Sequence, residues 1–340
     1  MQNMALFILR RIGYGLLVLL SLSFVVLSFI RLIPGDPVRM SLGPTASEKV
    51  VREVRSELYL DRPIPVQYFY WLRGVLRHGD FGKSLFTHRA VSKDIAEFLP
   101  RSMELAACSA LLILVFGVLL GTLSALFRDT WLDNLLRFFA YLGVVTPPYA
   151  IAIFFLLLFA FYWKLFPIGG MPAFPEELRV TGMLTFDALI EGRFPLFFDS
   201  LWHLILPAVS LSLGSIAYQA RIHRSSMIDN INKDYISFAR VVGVRKTTLT
   251  LKHLMKPSFI PTLTIFGLQV AALLGNAFLI EVIFRYPGFS RYSLQVIMTK
   301  DPYGIVAVTM VFGIVFALVN ILLDVGVAWL DPRVRLQAPE

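Results

Sequence analysis

The stretch Gly79-Asp80-Phe81-Gly82-Lys83-Ser84 ends as a phosphate-binding loop ends, in glycine, lysine and a hydroxyl residue. Such a loop needs another glycine five residues before the one that precedes the lysine, so that its backbone N–H groups can cradle phosphate oxygens. That position holds Arg77, so nucleotide binding by this chain is not expected. No H-E-x-x-H and no G-x-S-x-G is present, and the five histidines are scattered. Cys108 is the single cysteine; it can form no internal disulfide, and without a Cys/His cluster a structural zinc site is not expected. The acids Glu104, Glu281 and Asp324 adjoin long apolar runs. An ionisable group inside a membrane invites a functional reading, but all three lie at run ends, which favours interfacial positions. No catalytic and no metal residue is therefore assigned.

Whatever this chain does must be done by elements built for a bilayer. Its 340 residues are 56% hydrophobic and 16% charged, with mean hydropathy +0.68. Six stretches contain no Asp, Glu, Lys or Arg: Ile12–Ile30, Leu105–Phe127, Phe138–Trp163, Leu201–Ala220, Pro257–Ile280 and Tyr303–Leu323. About 20 apolar residues span the ~30 Å hydrocarbon core as a helix. The expectation is an all-α polytopic membrane protein with six transmembrane helices; a soluble enzyme, a disordered chain and a disulfide scaffold are excluded. The net charge of +9 reads as basic loops that fix topology, not as nucleic-acid binding. The segment Arg221–Lys256 holds eight Lys/Arg against Asp229 and Asp234, so it is placed in the cytoplasm with both termini. The first run has no small-residue cleavage pattern and is read as a retained helix.

The organisation follows: an N-terminal transmembrane helix (1–33), an extracytoplasmic segment (34–101), a five-helix core (102–335) with a cytoplasmic loop at 221–257, and a tail (336–340). Within the extracytoplasmic insertion, Ser47–Leu60 has the spacing of an amphipathic helix capped by Ser47. Tyr68, Phe69, Tyr70 and Trp71 suit a small core or the membrane interface. The loop Phe166–Asp199 is expected to be re-entrant or interfacial. Gly117 and Gly121, continued by Ala125, either let two helices approach closely or are incidental. Pro147-Pro148 should break the third run, as a passage-lining or a purely structural kink.

In the basic loop, Ile236, Ala239, Arg240 and Gly243 fall at i, i+3, i+4 and i+7, one helical face. Gly243 permits a turn, and a second short helix, Lys246–Met255, can follow. Such a pair could bind anionic lipid, dock into a partner, or be merely solvated.

The loop resembles the cytoplasmic loop of ABC importer permeases in its peptide-transport form: Asp234, Tyr235, Ile236, Ala239, Arg240 and Gly243 match, followed by His253 and Pro261, whereas Pro257 departs from the pattern. Further matches come in order: Ile33-Pro34-Gly35-Asp36-Pro37, Leu60–Tyr68, Gly79–Ser84, Gly267-Leu268-Gln269, Glu281–Gly288 and Leu330–Arg335. The chain is similar to the first of the two paired permeases of the dipeptide/oligopeptide/nickel type. The resemblance implies the type I importer permease fold in a bacterial or archaeal cytoplasmic membrane. It implies four kinds of partner: a homologous second permease, two cytoplasmic ATPase subunits carrying the ATP and Mg, an extracytoplasmic solute-binding protein, and membrane lipid. Ala239, Arg240, Gly243, Arg245 and Lys246 would couple to an ATPase. Pro147, Pro148, Gln269, Asn276 and Glu281 are candidates to line the passage. Peptides are the expected cargo, among nickel chelates, glutathione, opines and oligosaccharides. An ion-coupled secondary carrier is the alternative; it would need inverted repeats and buried coupling charges, and neither is evident.

Overall fold

The computed structural model describes residues 4–32, 38–39, 47–57, 59–84, 86–173, 175 and 180–330. The Ile33–Pro37 signature, the residues after Leu330 and the Asp324 side chain lie outside the described set. Among the described residues there is no strand, only an isolated antiparallel bridge between Lys83 and Ala90. The helices are α1 (Met4–Leu32), α2 (Glu48–Glu57), α3 (Ile64–His78), α4 (Val91–Leu126), α5 (Trp131–Val145), α6 (Pro148–Tyr162), α7 (Leu184–Ile190), α8 (Phe194–Ile231), α9 (Asp234–Val241), α10 (Lys246–Ile283), α11 (Phe289–Met298) and α12 (Pro302–Leu330). Among the described residues five helices are long and apolar enough to cross a bilayer alone, and α5 with α6 makes a sixth when the bent pair counts as one span.

The charge-free runs mark hydrocarbon, not helix ends. At 1.5 Å per residue the 36 residues of α4 and the 38 of α8 extend about 54 and 57 Å, well beyond the ~30 Å apolar core. The boundary expected at 101/102 therefore falls inside α4. Arg221–Ile231, expected as loop, is a helical continuation of α8. The expected Lys246–Met255 helix likewise runs into the fifth span, through a π-helical stretch at Leu249–Met255 just before Pro257. The Ser47–Leu60 helix is shorter, Glu48–Glu57, with the Val50 N–H donating to Ser47 Oγ at 3.4 Å. The break at Pro147-Pro148 is sharp: Thr146 and Pro147 are extended and α5 and α6 meet at 106°, an interruption that two successive residues without an N–H favour.

α8 is the central helix, packed on α4, α5 and α10. Leu105, Ile113, Leu204, Leu211, Leu273, Ile280 and Phe284 form the largest buried cluster. The glycine pair sits in this contact. A Cβ at Gly117 would lie 2.5 Å from Gln219 Cγ, and one at Gly121 would lie 2.7 Å from the Ala220 carbonyl oxygen. Gly117 and Gly121 thus serve close helix approach.

The residues that imitate a phosphate loop are a structural clip. Ser84 Oγ donates to buried Asp301 at 2.7 Å, just before α12. Gly82 adopts φ +100°, and a Cβ there would lie 2.8 Å from the Tyr303 ring.

Candidate functional site

The end of the bundle that carries Gly243 is built by two long helices and the short one between them. α8 stops at Ile231, Asn232 and Lys233 turn the chain, and Asp234 starts α9, where a carboxylate complements the helix dipole. α9 closes by the hydrogen-bond pair of a Schellman motif: the Val244 N–H donates to the Ala239 carbonyl at 3.0 Å and the Gly243 N–H to the Arg240 carbonyl at 3.2 Å. Gly243 occupies the left-handed position, φ +83°, as its place after α9 led one to expect. Val244 and Ala239 then meet in an apolar cluster with Ile236, Met227, Leu249 and Leu254.

This packing divides the candidate residues. Arg240, Gly243, Arg245 and Lys246 are exposed. Ala239 is not on their face; it turns inward beside fully buried Ile236. The outward surface belongs to residues that sequence reasoning missed: Phe238 is 71% exposed, Val241 86% and Val242 63%. Their i, i+3, i+4 spacing was the available signal. Unpaired apolar side chains of this size, flanked by arginine and lysine, mark an interaction surface. Tyr235 ties α9 to α8 by donating to Asn230 Oδ1 at 3.2 Å. Partial burial raises its phenol pKa above the ordinary value.

The passage candidates fare unequally. Pro147 and Asn276 are exposed, and Pro148 and Gln269 are half-buried. Glu281 is fully buried within the chain. It accepts from Ser102 Oγ and, at 2.7 Å, from the Arg291 N–H, so it caps α11 from a neighbouring helix. A Cβ at Gly288 would lie 2.5 Å from its carboxylate. Glu104 is buried too, accepting the Thr185 N–H at 2.6 Å and the Tyr286 hydroxyl at 3.3 Å. The two acids thus tie α10 to α4 and α11, and α4 to the segments around Thr185 and Tyr286.

The bend between α5 and α6 borders a half-open cavity of about 540 Å³ against α4 and α8. Its walls include Leu142, Thr146, Phe154 and Ile216, with Arg137 and Arg221 at one end. Arg224, also at that end, makes a two-point ion pair with buried Asp133 at 2.7 and 2.9 Å. Among the described residues no three His, Cys, Asp or Glu side chains are grouped to hold a metal.

Comparison with known proteins finds matches over nearly the whole chain. A family model described as binding-protein-dependent transport system inner membrane component matches residues 117–336, and its N-terminal companion matches residues 4–106. A probable D,D-dipeptide transport system permease of Escherichia coli is 36% identical, over 96% of this chain and 97% of its own. A dipeptide transport system permease of Alkalihalophilus pseudofirmus is 33% identical over 98% and 100%. A glutathione transport system permease of Salmonella typhimurium is 32% identical over 97% and 98%. With five to six long apolar helices among the described residues, the chain is a multi-pass inner-membrane protein, and it belongs to the family of binding-protein-dependent transport system inner membrane components.

Proposed function

We propose that this chain is one of two permease subunits of an ATP-driven importer for peptides, with the Gly243 end and both termini in the cytoplasm. The observation that carries the reading is α9 itself. It is a short helix pinned between the ends of two spans, with Phe238, Val241 and Val242 presented outward. Such a knob suits a cleft in a separate ATPase subunit, where ATP and Mg would be held. Arg240, Arg245 and Lys246 would meet acidic groups at the rim of that cleft. Closure of an ATPase dimer would draw two such helices together, and the spans would follow as rigid bodies. Pro147, Pro148, Gln269 and Asn276 remain the passage candidates, and the cavity inside the α5–α6 bend is offered as this subunit's part of the passage. Peptide cargo rests on the names of the relatives, and an extracytoplasmic binding protein and a second permease rest on the family. An ion-coupled carrier has no support.

The test is reconstitution in lipid vesicles of this chain alone, and of this chain with a second permease, two ATPase subunits and the binding protein. The complete set should hydrolyse ATP faster when peptide-loaded binding protein is added, and should accumulate peptide. Peptide accumulation by this chain alone, driven by an ion gradient, would reject the reading.

A further inference from the structure

α8 and α10 run antiparallel, and polar side chains face each other along their contact. On α8 these are Gln219, His223 and Asn230; on α10 they are Ser258 and Thr262. All five are buried. Their spacings, four and seven on one helix and four on the other, keep each set on a single helical face.

The bonds form a continuous ladder. Gln219 Nε2 donates to the Thr262 carbonyl at 2.8 Å. Thr262 Oγ1 donates to the Ser258 carbonyl at 2.7 Å, so its oxygen accepts from His223 Nδ1, 2.9 Å away. With the imidazole proton on Nδ1, Nε2 accepts from Thr122 Oγ1 at 3.1 Å, which brings in α4. Ser258 Oγ donates to the Leu254 carbonyl and accepts from Asn230 Nδ2 at 3.0 Å. Asn230 Oδ1 accepts the Tyr235 hydroxyl, the first residue but one of α9. Each of the five side chains has at least one hydrogen-bond partner, as buried polar groups require. Three of these bonds cross between α8 and α10, Gln219 to Thr262, His223 to Thr262 and Asn230 to Ser258, so separating the two helices would break all three.

We propose that this ladder is the lever of the transporter: it locks α9, α8 and α10 into one rigid unit, so that movement of α9 is delivered to the spans and not dissipated at the Asn232-Lys233 turn. Asn230, Tyr235 and Ser258 are then positioning residues for energy coupling. The proposal rests on the docking reading of α9, and its test separates the two.

Two measurements decide it. In the full chain in lipid nanodiscs, with Cys108→Ala, spin labels at Ser237→Cys on α9 and Thr264→Cys on α10, both exposed positions, should give one narrow distance distribution. Asn230→Ala and Ser258→Ala should each broaden it about twofold or more; an unchanged width in both overturns the lever whatever binds α9. In the unlabelled complete transporter, Asn230→Ala should lower peptide uptake per ATP hydrolysed about fivefold, with ATPase subunits still co-purifying. Tyr235→Phe, which deletes only the hydroxyl, should lower it less. Adding it to Asn230→Ala should cost nothing further, because both remove the same bond. A normal ratio in Asn230→Ala overturns the proposal. Failure of ATPases to co-purify with the unmutated chain refutes docking instead, and the label distances then decide the ladder alone.

Discussion

Gly243 offers the sharpest perturbation of the coupling tip, because its cost can be worked out from the backbone alone. Its φ is +83°, and a Cβ placed there would meet nothing within 4 Å. Substitution therefore introduces no clash inside the chain, only conformational strain. For an L-residue in the left-handed region that strain is roughly 1–2 kcal/mol, least for asparagine and greatest for a β-branched residue. α9 has eight residues, too few to be stable without its turn and its buried contacts. A cost of 1–2 kcal/mol shifts the balance between formed and unformed tip by about 5- to 30-fold. Peptide uptake by the reconstituted transporter should therefore fall in the order Gly243→Asn, Gly243→Ala, Gly243→Val. Membrane insertion should be unchanged, since no span is touched. Equal uptake by the asparagine and valine variants would refute the reasoning, because it would mean the left-handed turn is not needed.

Other perturbations have equally definite outcomes. Ala239→Glu would press a carboxylate into the cluster of Ile236, Met227 and Leu254; it should abolish ATPase co-purification while leaving the amount of chain in the membrane normal, and retained co-purification would contradict the inward packing. Gly121→Val would force side-chain atoms against the Ala220 carbonyl and His223; overpacking costs about 1–3 kcal/mol, so the thermal midpoint of the solubilised chain should drop. Ser84→Ala removes the hydroxyl held by Asp301 at 2.7 Å and should cost about 1–3 kcal/mol, again read as a lower midpoint, with ATPase co-purification intact. In a Cys108→Ala background, a reagent confined to the outside should label Ser47→Cys and not Ser237→Cys; the reverse pattern would overturn the orientation.

The sequence was most legible where one physical force acts alone. Hydrocarbon tolerates no charge, so uncharged runs located the spans, and two adjacent prolines located the break between α5 and α6. Helix ends were hidden, because α4 and α8 continue past the apolar runs with polar residues, such as Asp94 and Asn230, that are buried only by packing on other elements. The burial of Glu281 was hidden because its partners, Ser102 and the N–H of Arg291, meet it only through tertiary packing. Ala239 was placed with Arg240 and Gly243, since four positions span a wide arc of a helix; Met227 and Leu254, brought in by α8 and α10, decide which part of that arc faces inward. Gly243 was legible as a turn because helix termination is local. The polar face shared by α8 and α10 was not, because Gln219, His223, Asn230, Ser258 and Thr262 are ordinary residues until two helices are set side by side.

The central claim, that α9 is the contact with an energy-supplying subunit, is tested most directly by a photo-crosslinking residue at position 241, where the side chain is almost fully exposed. In membranes that contain the whole transporter, irradiation should join this chain to an ATPase subunit, and the yield should change on adding ATP. A crosslink absent from position 241 while the ATPase subunits still co-purify would contradict the account.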